Sequence, residues 1–158
     1  FGSTFPNGCH IAEVDIDPAT GVTEIVSYVT VDDCGRVINH TIVEGQMHGG
    51  VVQGAGQVFG EHVVYDRNTG QLMTGSFADY YMPRAGLVRE ITMEEHPTPS
   101  KVSPLGIKGM GESGCTASLA ALTNAVIDAL RPLGVQHLDM PLTPSKVWHA
   151  IATARGKK

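Results

Sequence analysis

Glycine interrupts one segment of this sequence that is otherwise spaced for a helix. From residue 41 to residue 60 the apolar side chains recur at helical intervals. Each glycine inside a helix costs about 1 kcal/mol relative to alanine, so six of them give up about 6 kcal/mol, which is comparable to the net stability of a domain. A helix here therefore needs compensation from its surroundings. The six are Gly45, Gly49, Gly50, Gly54, Gly56 and Gly60.

Two explanations of this glycine-rich helix stay open on the pattern. Bare backbone allows another element to pack closely against the helix, or it allows a ligand or the edge of a cofactor to approach. Gly49, Gly56 and Gly60 share one helical face, and Gln53 is the isolated amide in the middle of that face. On the second explanation, Gln53 is the polar contact of the ligand.

Composition excludes several classes of protein and partner. The 158 residues suit one domain, and a net charge of −5 without a basic stripe argues against nucleic-acid binding. No apolar run approaches the roughly 20 residues that span a bilayer. Cys9, Cys34 and Cys115 are odd in number and form no CxxC pair, which favours reduced thiols. We predict a cytoplasmic protein with no membrane span and no metal held by its own side chains.

The strands, turns and helices indicated along the rest of the chain predict an α+β fold, a two-layer sandwich of β-hairpins with packed helices. Turns of the form Asp-x-x-Thr-Gly sit inside both predicted hairpins. The predicted elements are a hairpin over 9–31, a second hairpin over 62–77, a strand over 88–95, a helix over 116–131, and a final helix with Thr143 as its cap and Pro144 at its first position.

A glycine-rich loop over residues 103–118 leads directly into the predicted helix. Such a loop presents backbone N–H groups and the positive end of the helix dipole, which favours an anion. The spacing from Gly106 to Ser113 resembles a phosphate-binding P-loop, but Glu112 stands where that motif needs lysine and would repel phosphate. A serine-nucleophile elbow fails as well, because Cys115 takes the place of its last glycine.

Glu112 itself has two interpretations. A carboxylate near a helix start is favourable and needs no function. However, Gly109, Gly111 and Gly114 lie near it in the sequence and have no side chains that would shield it. A substrate or cofactor can therefore approach the carboxylate, and a glutamate in a tight pocket can act as a general base.

Three segments carry a resemblance to a known family. Residues 43–57, 74–84 and 106–114 resemble the C-terminal part of the large subunit of molybdenum hydroxylases of the xanthine oxidase family, most like aerobic carbon-monoxide dehydrogenase. Residues 31–39 and 139–144 fit the same pattern. The resemblance implies that residues 1–158 are a single C-terminal cofactor-binding domain of a longer subunit, and the absence of Met at position 1 agrees with that expectation.

The resemblance implies a specific set of roles. Glu112 matches the family's general base, which activates the molybdenum-bound hydroxide. The cofactor is a molybdopterin dinucleotide carrying molybdenum, while [2Fe–2S] clusters and FAD lie on partner chains. The substrate is a small molecule: carbon monoxide, an aldehyde or an N-heterocycle. The residues predicted to contact the cofactor are Gln53, Gly54, Lys108, Gly109, Met110 and Gly111.

Two consequences complete the prediction. The chain depends on the rest of the large subunit and on iron–sulfur and FAD subunits, so we expect it to be inactive alone. The alternative is a non-catalytic domain for subunit interaction or binding, in which Glu112 is a helix cap.

Overall fold

The computed structural model describes residues 2–156, which form an α+β fold with a three-stranded sheet and three helices. The strands run in the spatial order β1-β2-β3, and a short 3₁₀ turn over Arg131–Leu133 follows the second helix. The elements are β1 (Asn7–Ile16), β2 (Thr23–Asp33), α1 (His40–Phe59), β3 (Thr92–Glu95), α2 (Ser113–Leu130) and α3 (Pro144–Gly156).

The first predicted hairpin is confirmed and extends two residues further at each end. β1 and β2 pair antiparallel, with a register shift between Glu13 and Val14. The turn forms as its sequence predicts: the Gly21 N–H donates to the Asp17 carbonyl over 2.7 Å, and Gly21 has a positive φ of 74°. A glycine is needed there because other residues rarely adopt that conformation.

The second predicted hairpin does not join the sheet. Its turn forms, with the Gly70 N–H donating to the Asp66 carbonyl over 2.9 Å, but pairing beyond it is one isolated bridge between Tyr65 and Leu72. The side chains of Val63 and Tyr65 are more than half exposed, so this segment buries no face. A two-stranded hairpin without a buried face is marginal, which explains the difference.

The third strand is shorter than predicted and pairs in a direction the sequence did not indicate. β3 lies parallel to β2, with Val29 opposite Thr92 and Asp32 opposite Glu95. Residues 88–91 of the predicted strand lie outside the ladder. The described sheet is therefore mixed, and one hairpin rather than two contributes to it.

Both predicted C-terminal helices are confirmed. α2 begins three residues earlier than expected and buries Leu122, Val126 and Leu130. α3 begins at Pro144, and the Thr143 hydroxyl accepts a hydrogen bond from the Lys146 N–H over 3.4 Å. Apolar side chains of α1 complete the core with these helices and the sheet: Met47, Val51, Ala55 and Val58.

Close packing between α1 and α2 explains part of the glycine content of α1. A Cβ atom on Gly50 would lie 2.8 Å from the Cys115 nitrogen, and one on Gly54 would lie 1.9 Å from the Ser118 hydroxyl oxygen. From the other side, a Cβ on Gly114 would lie 2.5 Å from a carbonyl of α1. The first explanation of the glycine-rich helix therefore holds for these positions.

Candidate functional site

A cleft of about 580 Å³ lies where the loop before α2 meets the sheet. The start of β1, the end of β2 and the first turn of α2 all contribute to its walls, because α2 packs on β1. The lining residues are Pro6, Asn7, Gly8, His10, Asp32, Gly109, Met110, Gly111, Glu112, Ser113, Thr116 and Ala117. Four of the residues that the sequence analysis selected are in this set.

Backbone contacts hold the glycine-rich loop against the end of β2. The Lys108 N–H donates to the Cys34 carbonyl over 2.8 Å, and Gly35 forms an isolated bridge with Ile107. Gly35 has a positive φ of 68°, and a Cβ atom on it would lie 2.4 Å from the Gly106 carbonyl oxygen. Glycine at position 35 thus permits the close approach that fixes the loop.

A buried ion pair strengthens the same attachment. The Lys108 ammonium lies 2.5 Å from Oδ2 of Asp33, and both side chains are nearly inaccessible to solvent. Oδ1 of Asp33 accepts from the N–H groups of Gly35 and Thr98 over 2.8 and 2.9 Å. Burial alone would raise the pKa of Asp33, but the hydrogen bond from Lys108 and the two backbone donors lower it to about 2.

Lys108 therefore uses its side chain and its backbone N–H within the chain. It does not line the cleft. These contacts hold the loop against the sheet, and contact of Lys108 with a cofactor, which the resemblance implies, stays a prediction.

The carboxylate of Glu112 has no partner within residues 2–156. Glu112 occupies the N-cap position of α2, but its side chain makes no capping hydrogen bond. It is exposed and lines the cleft. The backbone carbonyl of Glu112 instead accepts from the N–H and the hydroxyl of Thr116 over 3.0 and 2.9 Å. The arrangement leaves the carboxylate available to accept a proton from a molecule in the cleft.

Gly109 and Gly111 expose bare backbone beside Glu112. A Cβ atom on Gly109 would meet no atom within 4 Å, and neither glycine has a positive φ. Met110 between them is buried and anchors the loop. Neither local conformation nor packing within the described chain requires glycine at these two positions. The absence of side chains at Gly109 and Gly111 leaves room for a molecule to lie directly on the backbone.

The glutamine that comes near this loop is Gln46, which the sequence analysis missed. Its Nε2 atom lies 3.7 Å from the position of a Cβ on Gly111. Gln53 is exposed on α1 and does not line the cleft, and Gly54 is occupied by its contact with α2. Gln46 precedes Gly50 by one helical turn, so the crossing point of α1 and α2 would have revealed it.

A buried polar network at the cleft was also missed. His10 lies 3.1 Å from Oδ2 of Asp32 through Nε2 and 2.7 Å from the Tyr28 hydroxyl through Nδ1. The Thr30 hydroxyl donates to the same Oδ2 atom. Burial, reinforced by the charge of Asp32, raises the pKa of Tyr28 above its ordinary value of 10.0, so the phenol keeps its proton. His10 pairs with Thr30 across the two strands, and that register is the feature that could have revealed the network.

Between positions 2 and 156, no group of three or more His, Cys, Asp and Glu side chains is placed to bind a metal ion. No helix in that range is long and apolar enough to cross a membrane. Cys9, Cys34 and Cys115 are all free thiols.

Comparison with known sequences gives consistent matches. Residues 1–89 match the family described as molybdopterin cofactor-binding domain. The nicotine 6-hydroxylase large subunit of Paenarthrobacter nicotinovorans is 46% identical over 146 residues, which are 92% of this chain and 18% of that protein. The carbon monoxide dehydrogenase large chain of Hydrogenophaga pseudoflava is 39% identical over 148 residues, 94% of this chain and 18% of that protein.

Solved structures match the fold over nearly the whole chain. Carbon monoxide dehydrogenase from Oligotropha carboxidovorans has a TM-score of 0.92 at 33% identity, covering 98% of this chain and 19% of that one. Quinoline 2-oxidoreductase from Pseudomonas putida 86 has a TM-score of 0.89 at 43% identity, covering 93% of this chain and 19% of that one. The chain thus spans about a fifth of the length of these relatives.

Proposed function

The chain belongs to the molybdopterin cofactor-binding domain family of xanthine oxidase-type enzymes, and we propose that it forms one wall of the active site of a molybdenum-dependent oxidoreductase. In this proposal it supplies the general base, Glu112. The observation that carries the proposal is the unpartnered carboxylate of Glu112 beside bare backbone in the cleft.

The cleft offers a flat cofactor bare backbone to rest on and polar groups to bond to. The missing side chains at Gly109 and Gly111 leave a surface on which a ring system can rest. The first N–H groups of α2 favour negative charge, and the amide of Gln46 adds a donor and an acceptor. When bound, a molybdenum–pterin cofactor supplies the redox step, because it accepts the electrons removed from the substrate.

We assign two kinds of role to the predicted contact residues. The backbone of Gly109, Met110 and Gly111 lies against the cofactor, and Lys108 positions that backbone through its ion pair with Asp33. Gln53 stays a predicted contact of the cofactor, because its side chain is exposed on α1 and accessible to a ligand. The packing of Gly54 against α2 favours a structural role for that glycine.

Glu112 accepts a proton at its carboxylate during substrate oxidation. A carboxylate can take up a proton from a group placed within hydrogen-bond reach. The alternative role as a helix cap has no hydrogen bond to support it, because the side chain leaves the N-terminal N–H groups of α2 uncapped.

The substrate and the partners follow from the names of the relatives. Those names include nicotine, carbon monoxide and quinoline, so we propose a small molecule oxidised at carbon: carbon monoxide, an aldehyde or an N-heterocycle. We propose that the other walls of the site come from the rest of a large subunit. Iron–sulfur and FAD subunits carry the electrons onward, and the three free thiols agree with a cytoplasmic location.

Replacing Glu112 in the holoenzyme tests this function. We expect Glu112→Gln to lower kcat by about 100-fold to 10,000-fold, which is the usual contribution of a general base. The molybdenum content should not change, because the amide has the same size. The matched control is Glu44→Gln, an exposed glutamate on α1 that does not line the cleft. Unchanged turnover in Glu112→Gln would refute the proposal.

A further inference from the structure

Asp32 is a buried carboxylate at the cleft whose two oxygens have unequal surroundings. The residue is 4% exposed. Its Oδ2 atom accepts hydrogen bonds from His10 and Thr30. Its Oδ1 atom has no hydrogen-bond partner among residues 2–156, although Asp32 lines the cleft with Glu112. Because Asp32 lines the cleft and no described residue bonds to this oxygen, Oδ1 is available to accept a hydrogen bond from a donor that enters the cleft.

The network around Asp32 fixes which of its oxygens is free. A carboxylate oxygen only accepts, so Nε2 of His10 donates to Oδ2 of Asp32, and the Tyr28 hydroxyl holds the imidazole in place through Nδ1. Each of these donors is buried with the carboxylate. The carboxylate is therefore held in one orientation, with Oδ2 bound and Oδ1 free.

Gly8 brings bare backbone of β1 close to Oδ1 of Asp32. A Cβ atom on Gly8 would lie 2.3 Å from Oδ1 of Asp32 and 2.7 Å from the Val31 carbonyl oxygen. Gly8 has no positive φ, so its backbone conformation does not require glycine. Glycine at this position lets the backbone of β1 pack against the carboxylate, and Gly8 and Asp32 both line the cleft.

We propose that Asp32 is a binding residue of this site and that its Oδ1 atom accepts a hydrogen bond from an N–H or O–H group of the molecule bound in the cleft. The inference rests on the proposed function. A negative carboxylate repels anionic groups, so it selects a part of the ligand that carries donors. Such donors belong either to the ring amide and amine groups of the cofactor or to the substrate.

The decisive variant is Asp32→Asn in the holoenzyme. Because His10 and Thr30 both donate, the asparagine oxygen takes the place of Oδ2 and its NH₂ group takes the place of Oδ1. The variant thus keeps the volume and the network but replaces an acceptor with a donor at the cleft. The measurements are molybdenum and pterin content per protein, KM for the substrate, and thermal unfolding. The control is Asp15→Asn, an exposed aspartate on β1.

Two outcomes support the inference and distinguish the sources of the donor. A fall in cofactor content of fivefold or more, with unchanged unfolding, places the donor on the cofactor. Full cofactor content with KM raised tenfold or more places it on the substrate. Wild-type content together with wild-type KM overturns the inference.

A second pair of variants decides the matter if Asp32→Asn does not fold. Glutamine at position 10 can donate from the place of Nε2, whereas alanine cannot. We expect His10→Ala to lower the cofactor content fivefold or more, or to raise KM tenfold or more, as in Asp32→Asn. We expect His10→Gln to recover most of that loss. Equal cofactor content and equal KM in the two variants would overturn the inference. Glu112→Gln in the same series tests the proposed function separately, because it affects turnover without affecting cofactor content.

Discussion

At the scale of single residues, Asp33 connects the sheet to the loop that carries Glu112. Its two oxygens accept from Lys108, from two backbone N–H groups and, more weakly at 3.4 Å, from Asn7. A buried ion pair of this kind adds little net stability compared with apolar packing, but removing one partner leaves a buried charge that is costly. We therefore regard the pair as a device that positions the loop.

Removing Lys108 tests this view. We expect Lys108→Met to lower the free energy of unfolding by about 3 kcal/mol, because Asp33 then keeps its charge without its main partner. Urea denaturation followed by circular dichroism measures the change. The matched control is Lys101→Met, an exposed lysine in the same loop region. A loss of less than about 0.5 kcal/mol, as for an ordinary surface substitution, would contradict the prediction.

The low pKa of Asp33 predicts a direction for the pH dependence of stability. The pKa is about 2 in the folded chain against an ordinary value of 3.8, so the folded state binds the proton less tightly than the unfolded state. The contribution of Asp33 is complete above pH 3.8 and is lost as the pH falls through 2. The difference in unfolding free energy between the wild type and Asp33→Asn should therefore shrink from pH 5 to pH 2. A difference that grows toward low pH would be inconsistent with this linkage.

Sequence reasoning reached some of these residues and missed others for a physical reason. Glu112 and the glycines before it are contiguous with the helix they precede, so local patterns were enough to find them. Lys108 and Asp33 are 75 residues apart, and the pairing of His10 with Asp32 depends on the register of two strands. Such contacts arise from the folded topology, which no local pattern encodes.

At the scale of secondary-structure elements, four of the five glycines of α1 divide into two groups. Gly50 and Gly54 face α2 at distances that exclude a methyl group, and Gly114 meets α1 from the opposite side. Gly45 and Gly49 have nothing within 4 Å of their Cβ positions. The helical spacing predicted α1 correctly, but it could not distinguish these groups, because the difference depends on which face α2 covers.

Alanine substitutions separate the two groups. We expect Gly114→Ala to lower the free energy of unfolding by about 1 to 3 kcal/mol, since its methyl group meets the backbone of α1 and forces the helices apart. Gly45→Ala is the matched control and should raise stability by about 0.5 to 1 kcal/mol, because it adds helix propensity in open space. Urea denaturation of both variants provides the measurement. Equal effects of the same sign would show that helix packing does not explain the glycines.

At the scale of the whole molecule, large apolar side chains remain uncovered on the chain. The segment over residues 62–82 exposes Phe77 at 83% and Tyr65 at 59%, and α1 exposes Ile42 at 64%. Exposed apolar side chains mark an interface where they form a contiguous patch. The cleft is open to solvent as well, because Glu112 and the loop glycines beside it are exposed.

The exposed cleft predicts how the chain behaves when it is produced alone. We expect the 158-residue chain to contain far less than one molybdenum atom per molecule, because a cofactor resting on one wall keeps most of its surface in water, whereas pockets usually bury about 70 to 90% of a ligand. Metal analysis by mass spectrometry, with the holoenzyme purified in parallel, measures the ratio. Stoichiometric molybdenum in the isolated chain would contradict the view that the other walls lie elsewhere, since the cleft would then bind the cofactor without them.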